Sequence, residues 1–179
     1  MHSQGIAAGS PREMTGDEQW VAGDGQWIGI SDDELTGELG PPDPTVMQEI
    51  RDRFLEHEPL VESAGFDSVL HPRELVVSFE DGIGPADRCR MEVTWFRSGA
   101  YRFHYLDSEG INWRFGRHPN PHSPEKHFHE PPDAASTTAV ESCIRVEEPK
   151  LVALAVLKLW RRAYERSDFR DLNEASDPP

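Results

Sequence analysis

Residues 118–132 form a segment that combines four histidines with five prolines. Imidazole is the side chain that most readily exchanges a proton near neutral pH, and it is also the commonest metal ligand in proteins. The clustering therefore predicts a site for acid–base chemistry or for a metal ion. The histidines concerned are His118, His122, His127 and His129.

A second set of candidate residues precedes this segment, at alternating positions of a run of predicted strands. Alternating residues share one face of a strand, and neighbouring antiparallel strands bring them side by side. Like charges packed in this way repel one another unless an anion or a carboxylate such as that of Glu92 lies among them. The pattern thus predicts either a phosphate-binding face or structural ion pairs. The candidate substrate-binding residues are Arg90, Arg102, Arg114 and Arg117.

Three interpretations of the imidazoles stay open. In the first, one ring takes the proton of a 2′-hydroxyl of RNA and another protonates the leaving oxygen, while arginine stabilises the developing charge. In the second, three rings bind zinc. In the third, the prolines order the loop and the rings only bond to the backbone. The catalytic set would be His104, His118, His127 and His129, and the zinc set His122, His127 and His129.

No thiolate and no helical His-x-x-x-His pattern accompanies the histidines. We therefore expect no metal and no other cofactor at the site, with zinc as the alternative. The two cysteines, Cys89 and Cys143, form no Cys-x-x-Cys pair, and we interpret them as small core residues.

Charge is distributed very unevenly along the 179 residues. The net charge is −15 at pH 7, of which residues 1–42 contribute −7, whereas residues 88–129 carry +3. A basic region within an acidic protein is a candidate anion site. Three lysines stand beside 15 arginines and 33 acidic residues, a balance that resembles proteins of salt-loving archaea.

No targeting or membrane-spanning segment is evident. The N-terminal residues are polar and acidic, and the longest apolar run covers residues 151–157. A membrane-spanning helix needs about 20 apolar residues. We therefore expect a cytoplasmic protein without a membrane partner.

Composition divides the chain into three segments. Residues 1–42 and 167–179 are polar and acidic, and we predict that both are disordered tails. Residues 43–166 are predicted to form a single domain. Its first helix should begin at Asp43 and Pro44, which are a capping residue and a first-turn residue, and a second, long helix should begin near Pro149.

The centre of the domain shows the period of two that is typical of strands. Glycine-containing turns separate the apolar/polar alternations, which predicts an antiparallel meander. We predict an α+β fold, in which the N-terminal helix and the long C-terminal helix pack on the apolar face of that meander. Strands are expected at residues 75–79, 89–95, 101–105, 111–115 and 142–146, with 118–132 as a loop.

The order of these elements resembles the TumE-type toxin family of prokaryotic toxin–antitoxin pairs. The resemblance covers residues 43–166 and is carried by the hairpin Tyr-Arg-Phe-His-Tyr-x-Asp-x-x-Gly at 101–110, the aromatic and arginine-containing strand after it, the histidines and the closing helix. The loop at 118–132 is longer than the short histidine cluster of the family. By motif position, the resemblance implies a site at Arg102, His104, Arg114, His118, His127 and His129.

The resemblance further implies a toxin that acts on RNA or translation and is neutralised by a helix-turn-helix antitoxin encoded beside it. An enzyme of this kind would be a metal-independent ribonuclease. A non-enzymatic module that binds an anion, a nucleic acid or a protein through the same face is the alternative function, and a small zinc protein is the third. The first two require the imidazoles to lie over the arginine-bearing side of the sheet.

Overall fold

The computed structural model describes residues 39–119 and 123–174. The predicted N-terminal tail therefore lies outside the described residues up to position 38, and so does His122. Within the described ranges, helix α1 (Pro44–His57) precedes one sheet and helix α2 (Pro149–Arg166) follows it. The strands are β1 (Val61–Phe66), β2 (Leu75–Phe79), β3 (Cys89–Trp95), β4 (Tyr101–Asp107), β5 (Asn112–Arg117), β6 (Lys126–His129) and β7 (Val140–Glu141).

The seven strands lie in the sheet in their sequence order, and each pairs with the next in antiparallel fashion. Cross-strand register aligns the apolar positions: Met91 pairs with Tyr105, and Tyr105 pairs with Trp113. The rings of Tyr105 and Trp113 stack with centroids 5.1 Å apart. One face of the meander is therefore a continuous apolar surface, and the predicted α+β meander is confirmed.

Both helices cover this apolar face. Helix α1 begins where the sequence predicts, because Asp43 Oδ1 accepts hydrogen bonds from the amides of Thr45 and Val46, at 3.1 and 3.3 Å. Helix α2 buries Trp160 against Phe79, with ring centroids 4.5 Å apart. Neither described helix combines the length and the apolar character that a bilayer crossing requires.

Strand β6 differs from the prediction. Residues 126–129 were expected in a loop, yet they pair with β5, so that His127 lies opposite Gly116 and His129 lies opposite Arg114. Histidine and proline are poor indicators of a strand, and the pairing that stabilises β6 is made with the preceding strand rather than within the segment. The imidazoles of His127 and His129 are consequently positioned by the hydrogen bonds between β5 and β6.

Two further strands depart from the prediction. Strand β1 was not predicted, because its sequence does not alternate strictly between apolar and polar residues and it contains Gly65; positions 61, 64 and 66 are the partly buried ones. Strand β7 covers Val140–Glu141 instead of the predicted 142–146. Ser142 is buried and its hydroxyl accepts the Ile144 amide at 3.1 Å, which turns the chain away from the sheet at this point.

The described parts of both predicted tails contact the domain. At the N-terminal end, the amide of Arg97 donates to the carbonyl of Pro41 at 3.1 Å. At the C-terminal end, Leu172 is fully buried and the side chain of Asn173 accepts the Cys143 amide at 2.8 Å. Residues 167–174 therefore pack against the sheet, whereas we predicted a disordered tail from 167; residues 175–179 lie outside the described residues.

Candidate functional site

Most of the predicted site residues lie on the face of the sheet opposite the helices. Register pairs His104 with Arg114, and Arg114 with His129. The adjacent row pairs Arg102 with Gly116, and Gly116 with His127. We call this surface the Arg/His face and define it by Arg90, Glu92, Arg102, His104, Arg114, His118, His127 and His129. Imidazoles from β6 therefore lie beside guanidinium groups from β4 and β5.

Arg117 is the exception among the predicted arginines. It pairs in register with Tyr101, whose ring belongs to the apolar core. Its Nε lies 2.8 Å from Glu125, and its Nη1 lies 3.7 Å from Glu147. Arg117 is two residues after the core residue Phe115 on β5 and therefore lies on the side of the sheet that the helices cover, apart from the Arg/His face.

Two arginines of the Arg/His face form ion pairs with carboxylates. Arg90 Nε lies 2.8 Å from Glu92 Oε1, and Arg102 Nη2 lies 2.8 Å from Glu74 Oε1. Burial raises the pKa of Glu74, and the nearby Glu92 adds to the rise although Arg102 opposes it. The structural ion pairs that were the alternative to a phosphate-binding face are thus present at both arginines.

His104 lies between two oxygen atoms. Its Nδ1 is 3.5 Å from Glu92 Oε2, and its Nε2 is 3.3 Å from Asn112 Oδ1. A protonated ring donates to both oxygens, whereas a neutral ring donates to one. Burial acts to raise the pKa of Glu92, but the hydrogen bonds from His104 and Arg90 outweigh it and hold this pKa at about 2. The Glu92 carboxylate therefore accepts a hydrogen bond from His104 Nδ1.

Three other imidazoles share one bonding pattern. The Nδ1 atoms of His127 and His129 each lie 3.0 Å from a backbone carbonyl, of Pro124 and Ala135 respectively. A carbonyl only accepts, so these contacts place the hydrogen on Nδ1 and leave the lone pair on Nε2. His118 makes the same contact with its neighbouring carbonyl at 3.2 Å. The hydrogen bonds from the rings to the backbone, which the third interpretation expected, are therefore present. In each of the three rings, Nε2 is the nitrogen that these bonds leave free of a hydrogen atom.

The Nε2 atoms of these rings differ in their surroundings. His129 Nε2 lies 3.1 Å from Arg114 Nη2, from which it accepts a hydrogen bond. His127 Nε2 is buried and has no hydrogen-bond partner among residues 39–119 and 123–174. The ring of His127 lies between the other two, with centroids 4.6 Å from His118 and 5.0 Å from His129. The three rings form a row that runs from partly exposed His118 to buried His129.

Burial lowers the pKa of all three imidazoles in this row. The pKa of His127 and that of His129 are each about 4. After burial, the largest lowering of the pKa comes from His118 for His127 and from Arg114 for His129. The pKa of His118 is lowered by burial in the same direction, and Arg114 and Arg102 add to the effect. At neutral pH all three rings are therefore uncharged and able to accept a proton.

Gly116 permits the position of the His127 ring. A Cβ atom at this position would lie 2.6 Å from His127 Nε2, well inside van der Waals contact. We expect Gly116→Ala to lower the free energy of unfolding by about 1–3 kcal/mol, because the buried ring must shift. The matched control is Gly65→Ala, a strand glycine with open space around its Cβ position. Equal denaturation midpoints for the two variants would contradict this packing.

The zinc alternative requires His122, which lies outside the described residues. Among those that are described, no group of three or more His, Cys, Asp or Glu side chains is arranged to hold a metal ion. Cys89 lies in the core, where burial raises its pKa to about 12. This thiol is therefore not positioned as a ligand at the Arg/His face.

Three contributors to this face were not singled out from the sequence. Glu74, Asn112 and Gly116 each contact a predicted site residue. Gly116 is two residues after Arg114 on β5, so strand alternation places it on the same face as Arg114. Glu74 is 28 residues from its partner Arg102, and no local pattern indicates that pair.

Comparison with known families supplies the class of the protein. The family model described as Toxin TumE matches residues 51–166, a range that contains all seven strands and the whole of α2. The chain belongs to the TumE toxin family, and the resemblance predicted from the hairpin at 101–110 is confirmed. A toxin of this family has a cognate antitoxin as its partner. Neither the search of curated proteins nor that of solved structures gave a match.

Proposed function

We propose that this toxin cleaves RNA at the Arg/His face without the help of a metal ion. The observation that carries the proposal is the row of three neutral imidazoles beside Arg114. A fourth imidazole, His104, pairs in register with Arg114, and its Nδ1 faces the Glu92 carboxylate. Acid–base catalysis needs one group that accepts a proton and another that donates one. Titratable groups with such different environments indicate the two roles.

His118 is proposed as the general base, because its ring is the partly exposed member of the row. Its Nε2 takes the proton of a 2′-hydroxyl while the 2′-oxygen forms a bond to phosphorus. Arg114 stabilises the charge that develops on the phosphoryl oxygens. His104 donates its proton to the 5′-oxygen as the bond from phosphorus to that oxygen breaks. The products are a 2′,3′-cyclic phosphate and a 5′-hydroxyl.

His127 and His129 are proposed as positioning residues, because Arg114 already occupies His129 Nε2 and His127 Nε2 lies against the backbone of Gly116. His129 Nε2 accepts a hydrogen bond from Arg114 and so fixes the direction of the guanidinium group. His127 packs edge-on against His118 and supports the base. Arg102 and Arg90, which are half-buried, would extend the phosphate-binding surface on either side.

Growth assays test the proposal. Induced expression of the intact chain should arrest growth with loss of cellular RNA, and Arg114→Gln should abolish both effects because the phosphoryl charge is no longer stabilised. Arg73→Gln is the matched control, since Arg73 is exposed and lies outside the Arg/His face. Undiminished arrest by well-expressed Arg114→Gln would remove this face as the site of action.

A non-enzymatic RNA-binding toxin is the second candidate. The observation that favours it is burial: His104, His127 and His129 are each exposed by no more than 3%, and the last two bond to backbone carbonyls. A binding module of this kind would hold RNA with an affinity that falls steeply as salt rises. It would leave the RNA intact, which distinguishes it from the first candidate.

We further propose that the cognate antitoxin is a helix-turn-helix protein and that the pair acts in the cytoplasm, where its RNA substrate is located. Family membership supports an antitoxin partner without specifying its fold. The reading frame beside the toxin gene is the decisive observation. A short frame that encodes a helix-turn-helix protein would support the proposal, and its absence from both flanks would oppose it.

A further inference from the structure

An open pocket lies on the same side of the sheet as the Arg/His face, toward the edge formed by β1. Its volume is about 280 Å³. Its floor is a cross-strand row in which Ser78 pairs with Arg90, and Arg90 pairs with Leu106. Arg88, Asp107 and Glu62 line its walls. The pocket therefore combines one apolar floor residue, Leu106, with polar groups and with side chains of both charges.

Glu62 lines this pocket from an irregular part of strand β1. Val61 pairs with Phe79 and Ser63 pairs with Ser78, so Glu62 is an extra residue, a β-bulge. Bulges re-aim a side chain and are common beside functional sites. Glu62 is exposed and makes no hydrogen bond or ion pair within the described part of the chain. Both of its carboxylate oxygens are available as acceptors for a ligand.

We propose that this pocket binds a guanine base of the RNA substrate. Guanine carries two adjacent donors, N1–H and N2–H, that match the two oxygens of one carboxylate. Adenine, cytosine and uracil each lack this pair of neighbouring donors. Leu106 provides an apolar surface for the face of the ring, and Arg88 lies at the rim, where a phosphate or sugar would emerge.

The position of the pocket relates it to the proposed cleavage site. Leu106 and His104 are two residues apart on β4, so their side chains lie about 7 Å apart along the same face. This separation is close to that between a base and a neighbouring phosphate of the same strand. The inference rests on the proposed function for its RNA context, and it then specifies that a guanosine lies beside the cleaved bond, on the side of His104.

Titration of the full-length protein with 3′-mononucleotides, followed by ¹H–¹⁵N NMR, tests the inference. We expect 3′-GMP to bind more tightly than 3′-AMP, 3′-CMP and 3′-UMP, with shifts at the amides of Ser78 and Leu106. Glu62→Gln should weaken 3′-GMP binding by about tenfold or more, because a charged hydrogen-bond acceptor is replaced by an amide that also donates. Glu165→Gln is the matched control, since Glu165 is an exposed helix residue outside the pocket.

The outcomes separate this inference from the proposed function. Selective 3′-GMP binding that depends on Glu62 supports the pocket even if the protein fails to cleave RNA, a failure that would contradict only the ribonuclease. Equal binding of the four nucleotides, no binding at millimolar concentration, or unchanged 3′-GMP affinity in Glu62→Gln would each overturn the pocket. RNA cleavage without preference for guanosine would overturn it as well and leave the ribonuclease in place.

Discussion

Replacing His118 with alanine is expected to slow RNA cleavage by about 10²- to 10⁴-fold, the usual contribution of a general base. The physical reason is that His118 is the partly exposed ring of the imidazole row, and burial keeps it neutral at physiological pH by lowering its pKa. The measurement is the single-turnover cleavage rate of a labelled RNA. The apparent affinity for RNA should change little, because the arginines of the face remain.

The pH profile of the same reaction gives an independent check. As the pH falls through the lowered pKa of His118, the ring gains a proton and can no longer act as a base. The acidic limb of the profile should therefore lie below about pH 6.5, the ordinary value for histidine. His57→Ala is the matched control, because His57 is an exposed residue of α1. A His118→Ala enzyme with the wild-type rate would exclude this residue as the base.

The free energy of unfolding is expected to fall by about 4 kcal/mol between pH 7 and pH 5. His127 and His129 are buried with a pKa of about 4, whereas an unfolded histidine titrates near 6.5. Below pH 6.5 the unfolded chain therefore binds more protons than the folded chain, and stability falls as the pH falls. Each ring accounts for about 2 kcal/mol over this interval, and the lowered pKa of His118 acts in the same direction.

Denaturant unfolding at a series of pH values measures this effect. His127→Gln removes one titrating group, so its stability should depend less steeply on pH between 7 and 5 than that of the wild type. His57→Gln should keep the wild-type slope, because that ring is exposed to solvent. If His127→Gln retained the full slope, the ring of His127 would not be the neutral buried imidazole described above.

The central strands could be predicted from the sequence because two signals agree there. Apolar alternation and glycine-containing turns both delimit β3, β4 and β5, and the capping residue Asp43 marks the start of α1. Strand β6 has neither signal. Its position depends on hydrogen bonds to β5 across a long loop, and its histidines are buried by the surrounding fold rather than by their own hydrophobicity.

The candidate site divides in the same way. Alternation alone predicts that Arg102, His104 and Arg114 share a face, and applied to β5 it also separates Arg117 from them. The partners of these residues could not be predicted, because the pair between Glu74 and Arg102 joins distant positions in the chain. Likewise, the neutral state of the imidazoles results from burial, which only the folded arrangement establishes.

Analysis of the ends of cleaved RNA tests the central claim most directly. Purified full-length protein, incubated with end-labelled single-stranded RNA in the presence of EDTA, should produce fragments that end in 2′,3′-cyclic phosphates, because the attacking group is the adjacent 2′-hydroxyl and no metal ion takes part. Intact RNA, or cleavage that stops when EDTA is added, would contradict the claim that the imidazoles and Arg114 of the Arg/His face carry out the reaction.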